Sequence, residues 1–136
     1  MVARKRTAAL KLRDYYMGRD KLYRNELTRE LRSNARNIVQ RINRLLRRAG
    51  ITTTVSSGWR PVAVNAAVPG AAPGSRHITC MAIDLNDRDG TLDAWCMANL
   101  AVLEELGLWL EHPVATPGWC HLQTCPPRSG KRVFEP

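Results

Sequence analysis

The chain has 136 residues, 21 Lys and Arg against 12 Asp and Glu, and a formal net charge of +9. That length gives room for one compact domain with a real core. No apolar run approaches the ~18 residues that cross a bilayer, and the opening Met1-Val2-Ala3-Arg4-Lys5-Arg6 lacks the apolar stretch of a secretory signal. The expectation is a protein with no transmembrane segment and no signal peptide.

The charge is divided unevenly. Residues 1–50 carry 15 Lys and Arg against 4 acids, a balance of +11, and residues 51–136 carry 6 against 8, a balance of −2. Residues 1–24 read as a basic, partly ordered arm, and 25–136 as the folded domain. Within it, apolar positions at Leu31, Ala35, Ile38, Val39, Ile42, Leu45, Leu46 and Ala49 keep a 3.6-residue period. They predict a helix over 25–49, with Thr28 or Asn25 as N-cap and Gly50 as its stop. One face packs inward and an Arg-rich face meets solvent. Clustered arginines can neutralise phosphates, but no aromatic platform is interleaved with them, and Tyr15, Tyr16 and Tyr23 lie upstream. Nucleic acid is therefore not the expected partner.

Residues 51–56, Ile-Thr-Thr-Thr-Val-Ser, are β-branched and predict a strand. Pro61 to Val68 predict a short helix with Pro61 at its first position, followed by a Gly/Pro loop over 69–76. Met81 to Leu85 form an apolar strand interrupted by Asp84. Asn86 to Gly90 read as a turn; Asp87-x-Asp89 lacks the remaining acids of a calcium loop. From Thr91 a second helix runs to Gly107, with Leu92, Trp95, Cys96, Leu100, Leu103 and Leu106 inward. Leu108–Glu111 and Trp119–Gln123 then predict a hairpin, and 126–132 an extended tail. Cys80, Cys96, Cys120 and Cys125 show no C-x-x-C spacing and read as free thiols.

The chain has three histidines. His77 precedes Asp84 by seven residues, and His121 follows in Trp119-Cys120-His121. Two imidazoles and a carboxylate are donors that zinc accepts, leaving a fourth position open. Fully extended, seven residues would separate His77 from Asp84 by roughly 23 Å, so a shared ion requires a reversal near Ile78 to Met81. An unpaired carboxylate in an apolar strand is costly. Asp84 therefore has a metal or an arginine as partner, or caps the next segment.

The stretch Ser56 to Asp84, SSGWRPVAVNAAVPGAAPGSRHITCMAID, together with Gly118 to Gln123, GWCHLQ, resembles the zinc D-Ala-D-Ala carboxypeptidase and endolysin peptidase family, whose fold is shared with the hedgehog signalling domain. The resemblance spans roughly residues 51 to 125. It implies an α+β fold: a small antiparallel sheet carrying the zinc site, packed against two main helices. It also implies one zinc ion per chain on His77, Asp84 and His121, an oxyanion-stabilising role for Arg60, and a Ser75 that shapes the loop or contacts substrate; Asn65 and Gln123 are further substrate-binding candidates. Gln123 could position His121 or the substrate, but a polar residue alternating out of a strand is the simpler account.

Two departures from the family pattern stand out. Cys80 replaces the usual Gly at the turn between the first two ligands, where φ > 0 would cost a non-glycine residue about 1 kcal/mol. Cys80 could also reach the metal as a fourth ligand. The acid that commonly lies three residues before the last histidine is replaced by Gly118. The nearest upstream acid is Glu111, which faces His121 if the hairpin pairs Pro113 with Trp119 and turns away after a one-residue slip. Glu111 is thus the expected general base, with His112 second.

The implied activity is zinc-assisted hydrolysis of a peptide bond in peptidoglycan stem peptides or cross-links. Size, basic character and absence of a signal resemble phage-encoded members, which pass from the host cytoplasm to the cell wall at lysis or travel on the virion. For such an enzyme the Arg-rich face would be drawn to an anionic cell surface. Two alternatives stand beside this: a zinc-containing phage structural or wall-binding protein without hydrolysis, and, more weakly, a nucleic-acid-binding protein acting through the basic helix.

Overall fold

A computed structural model describes residues 9–136. Residues 1–8 of the 1–24 arm lie outside the described residues. From Leu10 onward the chain is held in place, because the backbone N–H and C=O of Leu10 pair with the side-chain amide of Asn43 at 2.8 and 2.9 Å. Two short helices, α1 (Leu12–Tyr16) and α2 (Arg19–Leu22), follow, then a 3-10 turn at Arg24–Glu26. Tyr15 and Tyr16 are buried in the main core.

The long helix α3 (Arg29–Ala49) forms where its period predicts. The Thr28 hydroxyl accepts from Leu31 N–H and Gly50 closes the C-terminus in the left-handed region, the two devices that satisfy orphan helix-end groups. Its buried face is Ala35, Ile38, Val39, Ile42, Leu45 and Leu46. Arg29, Arg32, Arg36, Arg44, Arg47 and Arg48 are exposed, and Arg48 pairs with Glu105 at 2.9 Å.

The sheet has the order β1 (Val55–Ser57), β2 (Ala82–Asn86), β4 (Trp119–Gln123), β3 (Trp109–Glu111), β5 (Val133–Phe134). Four strands are antiparallel, as expected, but β5 runs parallel to β3 and makes the sheet mixed. The tail expected to be merely extended therefore supplies an edge strand. Its anchors are Leu110 N–H to the Arg132 carbonyl, His112 N–H to the Phe134 carbonyl, and the Arg132 guanidinium 4.4 Å over the Trp109 ring. Such tertiary pairing leaves no alternation in a two-residue strand.

Two other boundaries differ from expectation. Of the predicted strand 51–56 only the end pairs, because a register shift between Val55 and Ser57 accompanies the turn into Gly58. The short helix expected over 61–68 is α4 (Val62–Ala67), and the helix expected from Thr91 to Gly107 is two helices, α5 (Thr91–Ala98) and α6 (Leu100–Leu106). The break falls at Asn99 (φ −131°, ψ 45°), whose side-chain amide donates back to the Trp95 carbonyl at 2.8 Å. An Asn that bonds local backbone competes with the helix, and across the break Leu100, expected inward, is exposed while Leu92, Cys96 and Leu103 stay buried. The start of α5 explains the Asp87-x-Asp89 pair: Asp87 accepts from the N–H groups of Leu92 and Asp93, and Asp89 from that of Thr91.

All four cysteines are free thiols, and Cys80, Cys96 and Cys120 are fully buried. Cys120 points away from His121, toward Cys96 and Asp93. Asp93 Oδ1 is buried without a partner, and Oδ2 accepts from Thr116 at 3.4 Å. Burial, reinforced by the charges of Asp87 and Glu111, pushes the Asp93 carboxyl up to about 6 against hydrogen bonds from Cys120 and Thr116. The folded pKa thus exceeds the unfolded value near 4. Its contribution to stability is complete below pH ~4 and is lost as pH rises through about 6, on the order of 2 kcal/mol. Denaturant unfolding of wild type and Asp93→Asn across pH 4–8 checks this: the wild-type decline flattens in the variant.

Candidate metal centre

Three elements converge on one cleft, and each is set by a local device. The reversal between His77 and Asp84 is a compact turn closed by Cys80 N–H to the His77 carbonyl and Met81 N–H to the Arg76 carbonyl. Cys80 occupies its left-handed position at φ 58°, where the family pattern carries Gly. Its side chain lies in the core against Tyr15, and burial pushes the thiol up to about 12. Its side chain is directed into the core, and Cys80 is not part of the candidate group His77, Asp84 and His121 whose donor atoms come together among the described residues. Glycine there would relieve about 1 kcal/mol of strain and lose a similar amount of burial. Thermal denaturation is expected to place Cys80→Gly within about 1 kcal/mol of wild type, whereas Cys80→Val, β-branched at positive φ, falls well below it.

The segment Ser57-Gly58-Trp59-Arg60 grips the turn from the other side. Arg60 N–H bonds the His77 carbonyl, Trp59 Nε1–H bonds the Ile78 carbonyl at 3.1 Å, and His77 Nδ1 lies 2.8 Å from the Gly58 carbonyl. Gly58 itself is packed against Tyr15 so closely that an added Cβ would stand 1.9 Å from the Tyr15 carbonyl oxygen.

The sheet delivers the remaining residues. Antiparallel pairing sets Asp84 of β2 against His121 of β4. The β3–β4 register pairs Trp109 with Gln123 and Leu110 with Leu122, and extended by one residue it sets Glu111 against His121. This is the register that places Glu111 on the histidine face. His77, Asp84 and His121 bring one donor atom each within 4.8 Å of one another.

The hydrogen bonds define which ring nitrogens are free. A carbonyl only accepts, so His77 Nδ1 carries the hydrogen toward Gly58 and Nε2 presents its lone pair to Asp84 Oδ2 at 3.3 Å. Gln123 Nε2 donates to the Cys125 carbonyl at 2.9 Å, which turns its Oε1 toward His121 Nε2 at 3.1 Å. His121 Nε2 then carries the hydrogen, and Nδ1 presents its lone pair to Asp84 Oδ1 at 2.8 Å. Both neutral imidazoles aim lone pairs at a carboxylate. Only a proton or a cation between them resolves that arrangement, and the outer partners Gly58 and Gln123 orient the rings as ligand histidines are oriented in metal sites. The donor set fits zinc.

Electrostatics agree. Burial opposes ionisation of Asp84, and its carboxyl is held well below the usual range by positive charge and donated hydrogens from His121 and His77 when these are protonated, a charge that a cation at the same point would supply. Burial lowers the pKa of His77, outweighing Asp84. At His121 burial also lowers, but Asp84 and Glu111 together raise the net value. Burial raises Glu111, with Asp84 adding and His121 opposing.

Arg60 lies beside the cluster. Its Nε donates to Ser57 at 2.8 Å, and its terminal nitrogens donate to Asn65 at 3.4 Å and Asp84 at 3.2 Å. Three of five N–H groups are used, leaving two. Asn65 is buried behind Arg60 and also donates to the Ala72 carbonyl, tying the 69–76 loop down. Ser75 lines the cleft, and its hydroxyl accepts from His77 N–H. His112 is a turn residue whose Nδ1 accepts from Val114 N–H. The cleft, of about 650 Å³, is also lined by Phe134, which stands edge-on to His121 with ring centroids 6.0 Å apart. Phe134 and the carbonyl of Gly58 were not legible as site components; the S-G-W-R motif was the available signal for the second.

The family model for peptidase M15 matches residues 18–109, and the chain belongs to that family, the zinc D-Ala-D-Ala carboxypeptidase family. It is therefore a peptidase by descent. The matched region holds Arg60, His77 and Asp84 and ends before Glu111 and His121, which the β3–β4 pairing adds. No curated protein and no solved structure matches the chain.

Proposed function

We propose that this chain is a zinc-dependent peptidase, with one zinc ion on His77, Asp84 and His121, that cuts a peptide bond in the stem peptides or cross-links of bacterial peptidoglycan. The observation that carries the reading is the pair of imidazole lone pairs converging on Asp84 at 3.3 and 2.8 Å inside an open cleft. When bound, zinc supplies Lewis acidity toward water and a peptide carbonyl.

The protein groups supply the rest. Glu111, half-buried and opposite His121, takes a proton from the attacking water and returns it to the leaving amine; its raised pKa brings it nearer to that task. Arg60 turns its two unused N–H groups to the developing oxyanion while its bond to Asp84 fixes its position. Gln123 holds the His121 ring, Asn65 holds Arg60 and the loop, and Ser75 shapes the wall that the peptide meets. A phage lysis or virion-borne role accords with small size and strong basicity, and the exposed arginines of α3 favour an anionic wall. Among the described residues no helix is long and apolar enough to cross a membrane.

The test is release of new amino groups from purified sacculi by zinc-loaded protein, chelated protein and Glu111→Gln. Zinc-dependent release that falls by about 10²–10⁴-fold in the variant, with one zinc still bound per chain, is the expected result. No release from zinc-loaded wild type would sink the peptidoglycan reading.

A further inference from the structure

The loop that carries Arg60 is held through two peptide planes, each fixed at both ends. In the Gly58–Trp59 plane the Gly58 carbonyl meets His77 Nδ1, and the Trp59 N–H donates to the Tyr15 carbonyl at 3.2 Å. In the Trp59–Arg60 plane the Arg60 N–H donates to the His77 carbonyl at 3.1 Å, and the Trp59 carbonyl accepts from a terminal nitrogen of Arg19 at 2.8 Å. A peptide unit is rigid, so fixing both ends of a plane fixes the two Cα atoms it joins. Two of these four bonds come from the segment before α3, one through the Tyr15 carbonyl and one through the Arg19 side chain, 40 residues upstream of the carbonyl it holds.

An arginine is a costly choice for a tie that only stabilises the fold. Arg19 is partly buried, and among the described residues no carboxylate lies within salt-bridge distance of it. Burial, and after it the charge of Arg60, lowers its pKa, so the two guanidinium groups stand near each other. Like charges drawn together away from bulk water repel more strongly. The chain also bends sharply just before Arg19: Met17 and Gly18, between α1 and α2, are both left-handed, at φ 56° and 78°. A left-handed methionine is strained, and strain of this kind persists where the surrounding structure enforces it, most often beside sites that function uses.

We infer that Arg19 is a positioning residue for the reaction: through the Trp59 carbonyl it sets the peptide plane from which Arg60 extends, and so aims the Arg60 guanidinium. Ser57, Asn65 and Asp84 hold the far end of the Arg60 side chain, and Arg19 holds the near end. Arg19 itself lies outside the cleft lining and touches no reacting group. The assignment rests on the role of Arg60 in the peptidase reading above and adds the residue that governs it.

The experiment compares zinc-loaded full-length wild type, Arg19→Ala, Arg19→Lys and the control Lys21→Ala, an exposed position on the same helix. It reads kcat and KM on soluble muropeptides prepared from sacculi, and hydrogen exchange of the Arg60 amide against that of Leu122, buried in the central strand β4. Arg19→Ala should lower kcat by about 10–100-fold, with KM within about 2-fold of wild type and one zinc still bound per chain. Its Arg60 amide should exchange at least about 10-fold faster while Leu122 keeps its wild-type rate, the mark of local release. Arg19→Lys keeps a charged donor for the carbonyl and should restore most of kcat and the slow exchange; Lys21→Ala should match wild type in both. If Arg19→Ala does not fold, Arg19→Met, which keeps an unbranched stem and removes the donor, carries the same expectation. A wild-type kcat in the variant, a loss carried by KM instead, unchanged Arg60 exchange, or equal acceleration of Arg60 and Leu122 would overturn the assignment. Local release at Arg60 with no cleavage by wild type supports the Arg19 tie and counts against the peptidase reading, whereas cleavage by wild type with no response at Arg60 does the reverse.

Discussion

Asp84→Asn is expected to cost the chain at least about 100-fold in zinc affinity and to reduce amino-group release from sacculi to background, while leaving it folded. Asp84 is the one charged donor in the cluster, and both its oxygens face imidazole nitrogens. An asparagine keeps the volume and can still accept from Arg60, but it removes the charge that compensates a divalent cation. Asp84→Ala should behave differently. Arg60 and Asp84 are both largely buried and 3.2 Å apart, so truncation leaves the guanidinium without its counter-charge. Breaking a buried pair from one side costs about 3–5 kcal/mol. Zinc titration and chemical denaturation of the two variants separate the roles. Retention of tight zinc binding by Asp84→Asn would show that the metal centre lies elsewhere.

Gly58→Ala should be the most damaging conservative change in the chain. The added methyl would fall 1.9 Å from the Tyr15 carbonyl oxygen and 2.8 Å from its carbon, both backbone atoms. Neither side can give way freely. Tyr15 is fully buried with its hydroxyl on the Ala82 carbonyl at 2.8 Å, and its own carbonyl accepts from Trp59 N–H. Overpacking a rigid site costs about 1–3 kcal/mol, occasionally more, and this collision belongs at or above the upper end, a melting temperature lower by about 10 °C. Because the Gly58 carbonyl orients His77, zinc affinity should fall as well, by about 10–100-fold. Gly74→Ala is the control: nothing lies within 4 Å of its added methyl, so stability should stay within about 0.5 kcal/mol. A Gly58→Ala protein that melts with wild type would remove close approach to Tyr15 as the device that holds the turn.

The two departures that counted against hydrolysis both acquire a physical account. Cys80 is tolerated at positive φ because the core accepts its small side chain beside Tyr15. The acid missing before His121 has a counterpart across the hairpin, because the β3–β4 register faces Glu111 toward the histidine. The motivation for a zinc-containing protein without activity is correspondingly weaker.

What the chain states by itself is local and chemical. The period of α3 with Thr28 and Gly50 at its ends, the charge division, the turn at 86–90 and the donor set His77, Asp84, His121 follow from residue types at short spacing, where propensity, capping and ligand chemistry act without help from distant residues. The tertiary structure decided the rest. The break at Asn99 follows from one side chain's competing bond to Trp95, and β5 exists only because β3 offers an open edge. Which ring nitrogens face Asp84 depends on Gly58 and Gln123. The placing of Glu111 and Asp84 on either side of His121 depends on strand order and register, which join residues far apart in the chain and leave no mark in any one segment.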